Sequence, residues 1–207
     1  MSFRIPRPLR KKSRASEMTF RFSLSIYKLL ADGTRKLVYL NPDDPPARAW
    51  IDICYCNTRY SEFSGIPMKR TNWSDYTMIY NQELVVHGSE GQVDRGIIVG
   101  AGTRVPAMDD YCMDSVISHG LSTGELWHRE TVMNYPVALD KSVSMDVTRV
   151  IINKTSSPIR VNEVGLYGNH TGTGYIFMLC RDVFEDGVLF EPGNAHAFNY
   201  RLEIRII

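Results

Sequence analysis

Two hydrophobic periods alternate along the chain. From Thr19 to Tyr27, Phe20, Phe22, Leu24 and Ile26 share one face, with Arg21, Ser23 and Ser25 between them, the pattern of a half-buried strand. Asp32-Gly33 supplies a turn, and Arg35 to Leu40 returns as the second arm of a hairpin. The period then changes. Beyond Asn41–Pro46 the apolar residues Ala47, Trp50, Ile51, Cys54 and Tyr55 recur at steps of three and four, which predicts one helix near residues 45–62. Asp44 fits its N-cap and Pro45 its first turn, where the missing N–H costs nothing, and Gly65 and Pro67 stop it. Residues 64–75 carry no regular period and are expected to form a long loop.

From residue 76 the strand signal returns. Candidate strands are Tyr76–Tyr80, Leu84–His87, Gly96–Val99, Leu126–Tyr135, Ser142–Ile152, Ile159–Tyr167, Tyr175–Arg181 and Ala197–Ile206. Two alternate cleanly: Val143, Met145, Val147 and Arg149 oppose Ser144, Asp146 and Thr148, and Phe198, Tyr200, Leu202, Ile204 and Ile206 oppose Asn199, Arg201, Glu203 and Arg205. Turn-forming stretches separate them at 153–158, 168–174 and 191–193. Short strands at this spacing with a single helix predict a mainly β protein, an antiparallel β-sandwich of jelly-roll or immunoglobulin-like type. The expected division is a basic extended arm over 1–18 and a single sandwich domain over 19–207. In that domain, 19–75 form the hairpin, helix and loop, and 76–207 form the main sandwich.

Charge adds the arm to this picture. The 207 residues hold 24 basic and 23 acidic side chains, so no global field steers the chain to nucleic acid or membrane. The distribution is uneven, however. Arg4, Arg7, Arg10, Lys11, Lys12 and Arg14 precede the first acid, Glu17, and without those six the remainder is about −5. Pro6 and Pro8 keep this stretch extended, with a reach of roughly 45 Å at about 3.3 Å per residue. It suits an anchor on an acidic neighbouring subunit, with nucleic acid as the alternative partner. No run approaches the roughly 18–20 apolar residues of a membrane span, and the N-terminus lacks the apolar region of a secretory signal. Synthesis in a cytosol is expected, with Cys54, Cys56, Cys112 and Cys180 as reduced thiols.

Candidate chemistry is sparse. Ile97-Ile-Val-Gly-Ala-Gly-Thr103 looks like a phosphate loop, but Pro106 interrupts the helix such a loop needs, so a tight strand-end turn is the better reading. Cys54-x-Cys56 lacks a second ligand pair for zinc. The histidines His87, His119, His128, His170 and His196 are scattered, each expected at the surface or in a turn. Asp109, Asp110 and Asp114 cluster, but without the glycine turn and terminal Glu of a calcium loop, and helix capping is the expected role. No catalytic residue, cofactor site or metal site is assigned, and the chain is expected not to be an enzyme. One polar pair stands out: Glu163 interrupts the apolar strand 161–167 and Arg181 ends the apolar run 176–180. With the glycine-rich turn between them, the two are expected to meet across a hairpin and fix its register, an architectural role.

The order of several segments is also informative. Gly96-Ile-Ile-Val-Gly-Ala-Gly, Asp110-Tyr-Cys-Met-Asp-Ser-Val-Ile-Ser-His-Gly120, Val147-Thr-Arg-Val-Ile-Ile-Asn153, Ile159-Arg-Val-Asn-Glu-Val-Gly-Leu-Tyr167, Leu179-Cys-Arg-Asp-Val183 and Tyr200-Arg-Leu-Glu-Ile-Arg-Ile206 follow one another. Over roughly residues 90–207 this resembles a family of small structural proteins of tailed bacteriophages, described as virion or tail-associated. The Asn-Glu-Val-Gly-Leu-Tyr segment is similar to one in phage tail-fibre and collar-attachment proteins. The resemblance implies a non-enzymatic, homo-oligomeric block in the neck, collar, tail or tail tip of a virion, in contact with copies of itself and other virion proteins. It supplies no catalytic residues. A receptor- or glycan-binding fibre module and a capsid decoration protein are the alternatives, the former requiring Trp50, Trp73 and Trp127 to line an exposed groove.

Overall fold

A computed structural model describes residues 18–43, 47, 50, 66–78, 84–171 and 173–206. The arm residues Arg4, Arg7, Arg10, Lys11, Lys12 and Arg14, almost all of the expected helix 45–62, and Cys54 and Cys56 lie outside them. The described chain is mainly β, and all its strand pairings are antiparallel.

Alternating apolar residues build the larger sheet. Strands β1 (Met18–Leu29), β2 (Arg35–Asn41), β7 (Trp127–Met133), β9 (Ser142–Ile152) and β12 (Ala195–Ile206) run in the order β2-β1-β12-β9-β7, and β8 (Val137–Leu139) pairs with β9 beyond the end of β7. Met18 pairs with Ile206, so the sheet begins one residue inside the expected arm. The second sheet is centred on β10 (Ile159–His170). It pairs along one edge with β11 (Tyr175–Phe190) and along the other with β6 (Gly96–Gly100) and β5 (Leu84–Val85). One hydrophobic cluster takes Phe22, Leu24, Ile26, Val147, Ile151 and Phe198 from the larger sheet and Ile97, Val99, Val164, Leu166, Phe177 and Phe190 from the second. Burying each such side chain contributes about 1.5–3 kcal/mol, which makes this shared face the main source of stability.

The expected loop over 64–75 is corrected. β3 (Ile66–Lys69) and β4 (Asp75–Met78) form a two-stranded ribbon closed by a turn in which the Arg70 N–H donates to the Ser74 carbonyl at 3.0 Å. Pro67, expected only to help stop the preceding helix, lies within β3, and a two-stranded ribbon leaves an edge where a residue without an N–H is tolerated. β11 also continues to Phe190, well past the expected end at Arg181. Glu185-Asp186-Gly187 has turn composition, and the left-handed Gly187 (φ 66°) is absorbed inside the strand.

Polar groups cross the core as well. Asn41 Nδ2 on β2 donates to Asp182 Oδ1 on β11 at 2.7 Å, and the Tyr200 hydroxyl on β12 donates to Asp182 Oδ2 at 3.3 Å, tying the two sheets together. Arg149 lies on the buried face of β9 with no exposed surface. Its guanidinium donates to the carbonyl oxygens of Arg129 (2.6 Å), Ile97 (2.8 Å), Gln92 (2.6 Å) and Ser89 (3.2 Å), pinning the segment that leads into β6. Burial lowers its pKa to about 10, well short of neutrality, so the group stays charged at pH 7. No helix among the described residues is long and apolar enough to cross a membrane.

Candidate functional site

Glu163 and Arg181 lie on the facing strands β10 and β11, both buried. The residue opposite Arg181 is Gly165, and Glu163 pairs with Val183. The diagonal reach across Gly165 brings Arg181 Nε and Nη2 to 2.9 and 2.8 Å from Glu163 Oε2. The structure thus brings the two residues together, as side chains diagonal on one sheet face can be.

The pair is the centre of a larger cluster. Arg181 Nη1 donates to Asp110 Oδ2 at 2.9 Å and Nη2 to Asp114 Oδ2 at 3.1 Å. Arg104 closes the set from outside, with Nη1 on Asp110 Oδ1 at 2.6 Å and Nε on Asp114 Oδ1 at 3.0 Å. Glu163 also accepts three backbone N–H groups, from Gly102 (3.0 Å), Ser115 (2.8 Å) and Asp114 (3.2 Å). The Tyr167 hydroxyl accepts the Met113 N–H at 2.7 Å. Two guanidinium groups and three carboxylates therefore clamp the irregular segment 101–117 onto β10 and β11.

Glycines make the clamp possible. A Cβ on Gly100 would lie 2.6 Å from Glu163 Oε1, and one on Gly102 would lie 2.7 Å from both Glu163 Cδ and Asp114 Cβ. These glycines serve carboxylate approach. β6 occupies Gly96–Gly100, close to the expected strand Gly96–Val99, and ends inside the glycine-rich motif, with Ala101 and Gly102 beyond it.

The expected capping role of Asp109, Asp110 and Asp114 is also corrected, because they sit in turn and bend structure rather than at a helix start. Burial pushes the Asp110 carboxyl upward, but the Ala107 amide and the Arg104 and Arg181 guanidinium groups outweigh it and hold the group below the ordinary aspartate value. Asp110 is therefore ionised at neutral pH and has no proton to donate. Both carboxylates that could begin a metal site are occupied by arginines, and among the described residues no group of three or more His, Cys, Asp or Glu side chains is arranged to hold a metal ion.

Outside the cluster lies a cleft of about 640 Å³. Asp94, Arg104, Asp109 and Asp114 line it together with Trp73 from the β3–β4 turn and Tyr111. The rings of Trp73 and Tyr111 meet edge to face, centroids 5.0 Å apart. Trp127 is instead half-buried, with its ring under Lys154 Nζ at 3.7 Å, and Trp50 packs against Phe22. Of the three tryptophans, only Trp73 lines this cleft.

The histidine expectation holds for His87, which is exposed, but not for His128, His170 and His196, which are buried. Desolvation, with help from the nearby Arg149 charge, lowers the His128 pKa to about 3, and desolvation, with Lys28, lowers that of His196 to about 4. Cys112 is half-buried and Cys180 buried. Sequence reasoning missed Asp110 and Asp114 as partners of the Glu163–Arg181 pair, and Arg104 and Tyr167 as further groups that hold the same segment. Their only common signal was a charged or hydroxyl group in an otherwise apolar neighbourhood.

No family model, curated protein or solved structure matches the chain.

Proposed function

We propose that the chain is a non-enzymatic structural component of a tailed-bacteriophage virion. It assembles as a homo-oligomer in the neck, collar, tail or tail tip, through its sheet faces and the basic arm over 1–18. Its two sheets close on their common core as a sandwich of jelly-roll or immunoglobulin-like type.

One observation carries this reading. Phe20, Ile204 and Val143 are cross-strand neighbours on β1, β12 and β9. By alternation they share the face that buries Phe22, Tyr200 and Val147, yet they are 43–48% exposed. The core-facing side of the larger sheet thus runs on beyond its cover as an apolar ladder. A contiguous apolar patch of this kind is the surface expected of a subunit contact. The ionic cluster fits the same reading, since its carboxylates are spent on arginines and backbone amides.

The test is the assembly state of the purified full chain by light scattering, with Ile204→Glu as the disrupting variant. A defined oligomer that Ile204→Glu converts to monomer supports the proposal, and a wild-type monomer at all concentrations overturns it. Copy number per virion then separates a ring component from a capsid decoration protein. Salt-dependent DNA binding by the full chain would assign the arm to nucleic acid instead.

A further inference from the structure

We propose that the cleft beside Trp73 is a saccharide-binding site that takes a neutral pyranose. The sugar stacks on the indole and is hydrogen-bonded at its edge by Asp109 and Arg104.

Trp73 is 69% exposed and adopts φ 71°, a left-handed conformation rare for a large side chain. The segment that presents it is well anchored. Asn72 Oδ1 accepts the Ser74 N–H at 3.2 Å, the Trp73 N–H donates to the Arg70 carbonyl at 3.0 Å, and the Thr71 N–H donates to the Ile176 carbonyl at 3.1 Å. The Arg70 guanidinium lies 4.0 Å from the Tyr175 ring centroid. The fold therefore accepts both backbone strain and exposed aromatic surface to hold one indole beside Tyr111 at the mouth of a cleft. Its volume of about 640 Å³ falls within the ~300–1,000 Å³ of small-molecule sites.

Charge selects the class of ligand. Asp94, Asp109, Asp110 and Asp114 face the cleft against Arg104, while Glu163 and Arg181 lie behind it. At the rim Arg95 Nε sits 3.5 Å from Asp94 and Lys69 Nζ 5.3 Å from the Tyr111 ring centroid. The five acids are nearly balanced by the four bases. An anion meets the carboxylate of Asp109, and a cation meets Arg104 and Lys69. Among the described residues Asp109 accepts no hydrogen bond and Arg104 Nη2 donates none, although both residues are exposed. A free acceptor and a free donor beside an aromatic face match a molecule with hydroxyls around its edge and an apolar C–H face, which is a neutral pyranose. Every residue named comes from one chain.

The experiment screens the full-length protein against an array of neutral, sialylated and sulfated glycans, then titrates the best neutral hit by tryptophan fluorescence. The expected result is saturable binding of at least one neutral glycan. Trp73→Ala should weaken it by about tenfold or more and Asp109→Asn by several-fold, with both variants keeping the wild-type thermal midpoint. Three results overturn the proposal: no neutral glycan binds, only acidic glycans bind, or binding survives both substitutions unchanged.

Discussion

Arg181 reaches past its cross-strand partner Gly165 to place Nη2 2.8 Å from Glu163 Oε2. A Cβ at position 165 would meet Met113 Sδ and Tyr167 Cε1 at 3.0 Å, so the glycine makes room for the segment that docks beside the ion pair. The pair does more than join β10 to β11. Through Glu163 it holds the backbone of Gly102, Asp114 and Ser115, and through Arg181 it holds Asp110 and Asp114.

Removing the carboxylate should therefore be costly. Glu163→Ala leaves Arg181 short of a buried partner and three N–H groups without their acceptor, with an expected loss of about 3–5 kcal/mol. Glu163→Gln keeps one oxygen acceptor and should lose less. Urea unfolding measures both, and hydrogen exchange should show faster loss of protection at Gly102, Asp114 and Ser115.

The close approach of Gly102 predicts coupling. Gly102→Ala drives a methyl into the Glu163 carboxylate and should destabilise by about 1–3 kcal/mol. In a Glu163→Ala background that cost should shrink, because one of the two clashing groups is gone. Equal costs in the two backgrounds, measured as a double-mutant cycle, would show that the contact carries no energy.

Arg149 is satisfied chiefly by carbonyl oxygens. Arg149→Met should strand buried acceptors of Arg129, Ile97 and Gln92 at a cost of roughly 2–4 kcal/mol. Arg149→Lys, with three donors on one nitrogen, should recover only part of the loss. Amide exchange in the 89–97 segment is the local readout.

Acid should unfold the protein through its histidines. The folded pKa values of His128 and His196, about 3 and about 4, lie below the ordinary 6.5, so the unfolded chain binds more protons in between. The stabilisation is complete above pH 6.5 and is lost as pH falls toward 4, with a slope of up to about 1.4 kcal/mol per pH unit for each histidine. Asp110, held below its ordinary value, adds a further loss in the range below pH 4. Unfolding free energy measured from pH 4 to 7 should rise with pH, and His128→Asn and His196→Phe should flatten that slope.

Much of the strand pattern was legible because period-two alternation is a local signal. β9 falls over the predicted 142–152, and β1, β2 and β12 agree with prediction to within two residues at either end. β3 escaped because Pro67 mimics a breaker, and the second half of β11 because Glu185-Asp186-Gly187 mimics a turn. The Glu163–Arg181 contact could be anticipated because a hairpin fixes which residues face each other. Asp110 and Asp114 could not, because segment 101–117 has no period and its path is set by what it docks against. The burial of His128, His170 and His196 was hidden for the same reason, since an isolated histidine does not reveal which sheet face lies over it.

The sequence by itself determined where strands form and which of their faces are apolar, because alternation is written in neighbouring residues. Only the tertiary structure decided that two arginines and three carboxylates share one cluster, that Arg149 is buried among carbonyls, and that Trp73 stands beside Tyr111 over a cleft. Those arrangements depend on the packing of segments far apart in the chain, where each charge finds the partners that offset its desolvation.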